Sequence, residues 1–374
     1  MKPLPDVLSE MTARLSASRP AMRIGIYRTC GIGDAVQLTP LFQQIRADFP
    51  DAKVTFFTSE NVAPLLDGCP FLDETVPFPS SLLAGTAAEW GGFPMWRQIA
   101  RRGKWDLFLD LEPRWRRSLG IMLVRAGRKG GLQGDGWKPV RLFDEFLIQH
   151  PAGLDRGHSS ARYLELWQKV TGNKDRRLGY NLDHVLASPA SLPELPARFV
   201  CLVPGAGNAM NPGEAKRWPF TNWLRLAGQL AEAGFIPVWL GSAEDERLFP
   251  TGGTGINLMG RLDLRQACQT VGKGMALIGN DSALFHIALA TRTKAVGLFG
   301  PTNPQRTGPF RNPSSLILKA RFGRVAPALL ARHGTDADRD ALDACVPMQE
   351  LGLDLVSHEV FGYLAASPNS PELQ

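Results

Sequence analysis

Near the amino end, the run Gly31-Ile32-Gly33-Asp34 sets a carboxylate on a glycine-rich turn. About 240 residues later, Asn280-Asp281-Ser282-Ala283-Leu284-Phe285-His286 opens a helical stretch after an apolar run. Two glycines permit a tight turn and close approach by a second molecule, which suits Asp34 to act as a general base on a hydroxyl. Backbone N–H groups at a helix start seat a phosphate, and Ser282 and His286, four residues apart, share one helix face. A carboxylate base in one half of the chain and an anion seat in the other suggest group transfer from a phosphorylated donor. The alternative for Asp34 and Asp281 is a capping role at a helix start. For His286 it is a half-buried histidine satisfied by its neighbours.

Three further stretches belong to the same chemistry. In Lys216-Arg217-Trp218-Pro219, at the end of a long loop, Lys216 can neutralise phosphate charge on a departing nucleotide, or simply be a solvated loop lysine. Glu244 and Asp245 follow Gly241 at a strand end, where an acid accepts bonds from ribose hydroxyls; the local sequence does not choose between them. Gly300-Pro301-Thr302 ends the last apolar strand and points the same way. No His, Asp or Glu cluster has metal-ligand spacing, and neither a phosphate-binding P-loop nor a serine elbow is present. Cys30 beside the glycine turn reads as a small buried residue rather than a nucleophile.

These residues need a scaffold that brings distant strand ends together. Short apolar runs alternate with helical stretches throughout: Met22–Tyr27, Lys53–Phe57 and Trp105–Asp110 in the first half, then Phe199–Val203, Phe235–Leu240, Met275–Ile278 and Lys294–Phe299 in the second. This rhythm predicts two doubly wound parallel sheets. Leu38, Leu41, Phe42 and Ile45 fall at helical spacing after the glycine turn, and Thr221 is the expected cap of a helix reaching Ala233. The expected organisation is an arm over 1–20, a first Rossmann-like acceptor domain over 21–185 and a proline-rich linker over 186–197. A second, nucleotide-sugar donor domain follows over 198–340. A helical segment over 341–366 is expected to cross back to the first domain, and 367–374 form a disordered tail. In open parallel sheets ligands sit at the carboxyl ends of strands, so the two opening motifs face one cleft.

Composition narrows the class. A chain of 374 residues suits two domains. Its 44% hydrophobic and 21% charged residues are those of a soluble globular protein. The first twenty residues hold charges and no apolar core, against a cleaved signal. Five scattered cysteines without a CxxC pair favour a reducing compartment. The net charge of +6 is concentrated: Arg97 to Arg141 holds twelve Lys/Arg against four Asp/Glu, which leaves the rest at −2. Such a segment is either a solvated face or a patch for an anionic partner. No nucleic-acid motif accompanies it.

As an ordered set, these motifs resemble the bacterial heptosyltransferases that build the lipopolysaccharide inner core. The pattern includes Gly33-Asp34 with Thr39-Pro40, Phe49-Pro50-Asp51-Ala52-Lys53, and Pro204-Gly205-Ala206 with Lys216-Arg217-Trp218-Pro219. It continues in Asp281 with His286 and ends in Leu298-Phe299-Gly300-Pro301-Thr302. The resemblance implies a GT-B fold, two Rossmann-like doubly wound domains facing a central cleft. It implies an inverting, metal-independent transfer from a nucleotide-sugar, ADP-heptose, with no cofactor, to an anionic glycolipid. Asp34 would be the base and Lys216 the counter-charge for departing ADP. Gly205, Ala206, Glu244 or Asp245, Asp281, Ser282, Ala283 and His286 would hold the donor. Gly33, Thr39, Arg114, Arg116 and Arg117 would serve the acceptor or the membrane. The expected location is cytoplasmic, peripheral on the inner membrane. Three features depart from the family: Ala283 replaces a usual glycine, the loop before Lys216 carries Asn208, Asn211 and Glu214, and the 97–141 segment is unusually basic. A protein or capsule-precursor acceptor, and a silent nucleotide-sugar-binding scaffold, are the competing expectations.

Overall fold

The computed structural model describes residues 21–79, 92–112, 119–133, 143–148, 157–207, 213–250, 254–312, 314–330 and 336–366. The expected arm, the expected tail, Asn208, Asn211 and the three arginines Arg114, Arg116 and Arg117 lie outside the described residues.

The first half contains β1 (Arg23–Tyr27), α1 (Ile32–Asp48), β2 (Lys53–Ser59), β3 (Glu74–Phe78), α2 (Gly92–Arg101), β4 (Trp105–Asp110), β5 (Ala126–Gln133), β6 (Glu145–Ile148) and α3 (Ser159–Thr171). Its six strands lie in the order β3-β2-β1-β4-β5-β6, every pair parallel. The second half runs α4 (Asp183–Ala187), β7 (Phe199–Val203), α5 (Phe220–Glu232), β8 (Ile236–Trp239), α6 (Ala243–Leu248), β9 (Ile256–Asn257) and α7 (Leu264–Lys273). It continues with β10 (Ala276–Asn280), α8 (Ala283–Ala290), β11 (Lys294–Phe299), α9 (Pro304–Thr307), β12 (Leu316–Lys319), β13 (Gly323–Arg324) and α10 (Leu353–Ala365). Its sheet order is β13-β12-β11-β10-β7-β8-β9, parallel except for the β12–β13 edge.

Unbroken apolar strands such as Phe199-Val200-Cys201-Leu202-Val203, buried at every residue, are what parallel strands covered on both faces require. Met95, Trp96 and Ile99 of α2 cover one face of the first sheet against Tyr27, Phe57 and Phe108. On the other face α1 packs Leu38, Leu41, Phe42 and Ile45, and this apolar cluster continues into Phe285, Ile287 and Leu289 of α8. The two helices that open the candidate motifs therefore pack on each other across the domain seam. Among the described residues no helix is long and apolar enough to cross a membrane.

Four expectations are corrected. The terminal helix stays on the second domain: Val356, Val360 and Tyr363 pack with Trp223, Leu226 and Leu230 of α5, and Ser357 Oγ donates to Gln229 Oε1 at 2.6 Å. The chain also meets the second domain before residue 186, because α4 packs on α7 and Gln269 Nε2 donates to Val185 O at 2.8 Å. Helix α5 starts after Pro219 without a side-chain cap, so Thr221 lies inside it. Thr39 is fully buried and cannot meet an acceptor. Pro40 lacks the N–H that Val36 O would accept in a helix, and Thr39 Oγ1 supplies the missing bond at 2.7 Å.

Candidate active site

Both candidate motifs start at points where the strand order reverses, the usual ligand position in such sheets. In the first sheet β1 and β4 are neighbours. The chain leaving β1 is fixed by Leu111 N donating to Tyr27 O at 2.9 Å and by Thr29, whose N and Oγ1 both donate to the buried Glu112. Gly31 caps α1 in an extended conformation. Asp34 is thus a first-turn residue rather than the cap, and Gly31 N donates to its Oδ2 at 3.4 Å. Its side chain is 45% exposed, with Arg28 Nη2 3.8 Å from Oδ1. Arg28 donates to Leu111 O at 2.7 Å and lies over the Tyr163 ring. Burial opposes the Arg28 charge, but its acidic neighbours, the carboxylates Asp34 and Glu112 among them, outweigh it and keep the guanidinium protonated. Burial pushes the Cys30 thiol up to about 12, so it is no thiolate nucleophile near neutral pH.

In the second sheet β7 and β10 are neighbours, and Asn280 ties their ends. Its Nδ2 donates to Pro204 O at 2.8 Å, and its Oδ1 accepts from Trp218 N at 3.2 Å. That strap brings the Lys216 loop over Asp281. Lys216 Nζ donates to Asp281 Oδ2 at 3.0 Å, His286 Nε2 lies 3.5 Å from Oδ1, and Thr307 Oγ1 donates to Oδ2 at 3.4 Å. The Asp281 side chain is 4% exposed. Burial would push its carboxyl up, but the His286 hydrogen bond and the Lys216 charge hold it well below the usual carboxylate range. Ser282, not Asp281, is the cap residue of α8, and it makes no side-chain cap bond. Its Oγ and the Nδ1 of His286 are both buried without a partner among the described residues. Such atoms are costly unless something satisfies them, and both belong to the first turn of a helix whose N–H groups are free for an anion.

Gly33 is where the halves meet: a Cβ there would sit 2.8 Å from His286 Cδ2 and 3.6 Å from Ala283 Cα, so only glycine fits without displacement. Gly205 and Ala206 follow the end of β7, and a Cβ on Gly205 would strike Asp245 Oδ1 at 2.3 Å. Asp245 Oδ2 accepts from both Ser242 N and Ser242 Oγ at 2.8 Å. That carboxylate is occupied as a helix cap, and Glu244, exposed beside it, is the open acid of the pair.

The profile of glycosyltransferase family 9 (heptosyltransferase) matches residues 94–323, well over half of the chain. The chain belongs to glycosyltransferase family 9. It is 26% identical over 326 residues to lipopolysaccharide heptosyltransferase 2 of Salmonella typhimurium, covering 79% of this chain and 88% of that one. The Escherichia coli protein of the same name is 25% identical with the same coverage. Among solved structures, a family 9 glycosyl transferase from Veillonella parvula superposes with a TM-score of 0.71 at 18% identity, over 93% of this chain and 99% of the other. ADP-heptose LPS heptosyltransferase II of E. coli superposes with 0.65 at 19% identity, over 92% and 98%. The fold is GT-B, and the protein is a glycosyltransferase.

In this glycosyltransferase the structure gathers Lys216, Asp281 and His286 into one bonded cluster and sets Gly33 against it. Sequence reading missed Arg28 and Thr307, which touch the two candidate acids. A basic residue at the end of β1 was a usable signal for Arg28. Nothing local marks Thr307, which reaches Asp281 only through the path of the chain after β11.

Proposed function

We propose that this glycosyltransferase moves heptose from ADP-heptose to an anionic glycolipid of the lipopolysaccharide inner core, with inversion and without a metal. One observation carries the reading: the seam at Gly33 joins an exposed carboxylate, Asp34, to a cluster holding a lysine and a free helix N-terminus. The acceptor hydroxyl oxygen attacks the anomeric carbon of the donor sugar while an Asp34 oxygen takes its proton. The bond from that carbon to the diphosphate breaks on the opposite side, and a single displacement inverts the centre. The charge gained by ADP meets Lys216 Nζ, which spends only one of its three donors on Asp281, and the N–H groups of α8. Fixed donors at the place where charge develops are the largest usual source of rate, and here they replace a cation. Glu244 accepts from the ribose. The names of the relatives above support the donor and the acceptor class, and the geometry supports the roles.

The test is turnover of ADP-heptose on a Kdo-lipid A acceptor by wild type and Asp34→Asn. The variant should lose at least ~10²-fold in kcat, the lower range for removing a general base, while ADP binding changes little. Unchanged turnover in the variant would remove Asp34 as base. Transfer to a polypeptide instead of the glycolipid would move the reading to the protein acceptor.

A further inference from the structure

The described residues include four non-glycine positions with left-handed backbone, and all four are arginines: Arg177, Arg292, Arg311 and Arg321. Three of them line two cavities at the domain seam. The larger, about 470 Å³, has His158, Ala161 and Arg177 from the first half facing Phe310, Arg311 and Asn312 from the second. The smaller, about 380 Å³, lies across the Phe310–Asn312 wall and adds Arg292 and Lys294. Among the described residues no carboxylate lines either cavity, and Asp175 stands behind the wall they share, paired with Arg311. The larger falls within the ordinary range for small-ligand sites, which favour domain seams and combine apolar walls with a few fixed polar groups.

The wall is built rather than accidental. Phe310 is stacked on His158 at 4.9 Å between ring centres and covered by the Arg311 guanidinium at 4.4 Å. His158 Nδ1 accepts from Ser160 N, and its Nε2 lies 3.1 Å from Gly308 O, so the ring cannot turn. Asp175 organises both arginines: its carboxylate pairs with the Arg311 guanidinium, and its Oδ1 accepts Arg177 N at 2.7 Å. That bond pins Arg177 in a backbone conformation an arginine resists; its guanidinium is exposed, makes no close ion pair with a described residue, and acts on Asp175 only at longer range. Backbone strain held by its surroundings clusters at ligand sites.

We infer that the larger seam cavity is a second binding site, for a small ring-bodied organic anion. The ring lies on the apolar wall beside Ala161, and its phosphate or carboxylate pairs with Arg177. The cavity's lining residues are not those of the Lys216–Asp281 cluster.

Titration calorimetry with glucose 6-phosphate, glucuronate, glucose and inorganic phosphate tests this on wild type, Arg177→Gly, Ala161→Phe and Lys216→Met. Wild type and Lys216→Met should bind one or both anionic sugars saturably, with glucose and inorganic phosphate at least tenfold weaker. Arg177→Gly should bind at least tenfold less while its unfolding midpoint holds or rises, because glycine suits that backbone; Ala161→Phe, which fills the cavity, should lose binding too. Glucose 6-phosphate against glucuronate tells which anionic group is read. Lack of binding to 10 mM, binding lost only in Lys216→Met, or inorganic phosphate binding as tightly as the sugars would each overturn the assignment.

Discussion

At the scale of single residues, the Lys216–Asp281 pair is lopsided: the Asp281 side chain is 4% exposed and that of Lys216 30%. Removing the lysine leaves a buried carboxylate with only the longer contacts to His286 and Thr307, whereas removing the carboxylate leaves a lysine that water still reaches. Lys216→Met should therefore cost about 3 kcal/mol, the lower end for stripping one partner from a buried pair. Asp281→Asn should cost only about 1.5 kcal/mol, the scale of hydrogen bonds to a charged group. Urea unfolding of the two variants measures the difference, and equal costs would mean that water reaches Asp281. The pH dependence has a definite sign. The folded state depresses the Asp281 carboxyl through His286 and Lys216 against the cost of burial. Its stabilisation is thus fully present above the unfolded value near 3.9 and is lost as pH falls through the lower folded value. The gap between wild type and Asp281→Asn should shrink below about pH 4. Each partner was legible in the sequence as a separate candidate. Their contact was not, because it depends on Asn280 strapping two strand ends that are far apart in the chain.

At the scale of elements, α1 shows how far periodicity carries. Leu38, Leu41, Phe42 and Ile45 announce a helix, and it forms with these residues inward. Thr39 is expected to serve the acceptor or the membrane, yet α1 is packed by the first sheet, α3 and α8 together, so Gln37, Thr39 and Gln44 are buried as well. The hydroxyl repairs the helix at Pro40 and also accepts Asn181 N at 3.2 Å. Thr39→Val keeps the shape and strands both groups, at about 1–3 kcal/mol for a buried polar group left unpaired. Thermal unfolding should show a midpoint several degrees lower, with the acceptor KM unchanged. A raised KM at normal stability would restore Thr39 to the acceptor site. The terminal helix makes the same point. Its amphipathic spacing shows one apolar face but not which sheet takes it, and that is decided by Trp218 Nε1 donating to Leu351 O at 2.7 Å just before the helix begins.

At the scale of the whole molecule, the described basic residues of the 97–141 segment separate from the chemistry. On α2 the outer positions Pro94, Arg97, Gln98 and Arg101 are exposed while Met95, Trp96 and Ile99 are buried. Lys104 and Arg125 are exposed too, and Arg125 O accepts Trp105 N at the amino end of β4. None of these four basic residues forms an ion pair with a described residue. Met122, 61% exposed, stands on the short helical turn Leu119–Leu123, which packs so closely on α2 that Gly120 has no room for a Cβ beside Trp96. Asp34 lies at the carboxyl end of the same sheet. Six residues of β4 therefore set Arg101, Lys104 and Arg125 about 20 Å from the cleft at ~3.3 Å per residue. A patch there cannot hold an acceptor's reacting sugar; the partner we propose for it, with its exposed methionine, is an anionic membrane surface. Each basic residue near such a surface contributes about 1 kcal/mol. Replacing Arg97, Arg101, Lys104 and Arg125 with glutamine should weaken co-sedimentation with phosphatidylglycerol vesicles by roughly 10²–10³-fold at low salt, and binding by wild type should fade as salt screens it. Turnover of a water-soluble acceptor should be unchanged, since the cleft is beyond a Debye length at ordinary ionic strength. If the fourfold variant sediments like wild type, the face is merely solvated. If it loses turnover of the soluble acceptor, the patch and the cleft act as one site despite their separation.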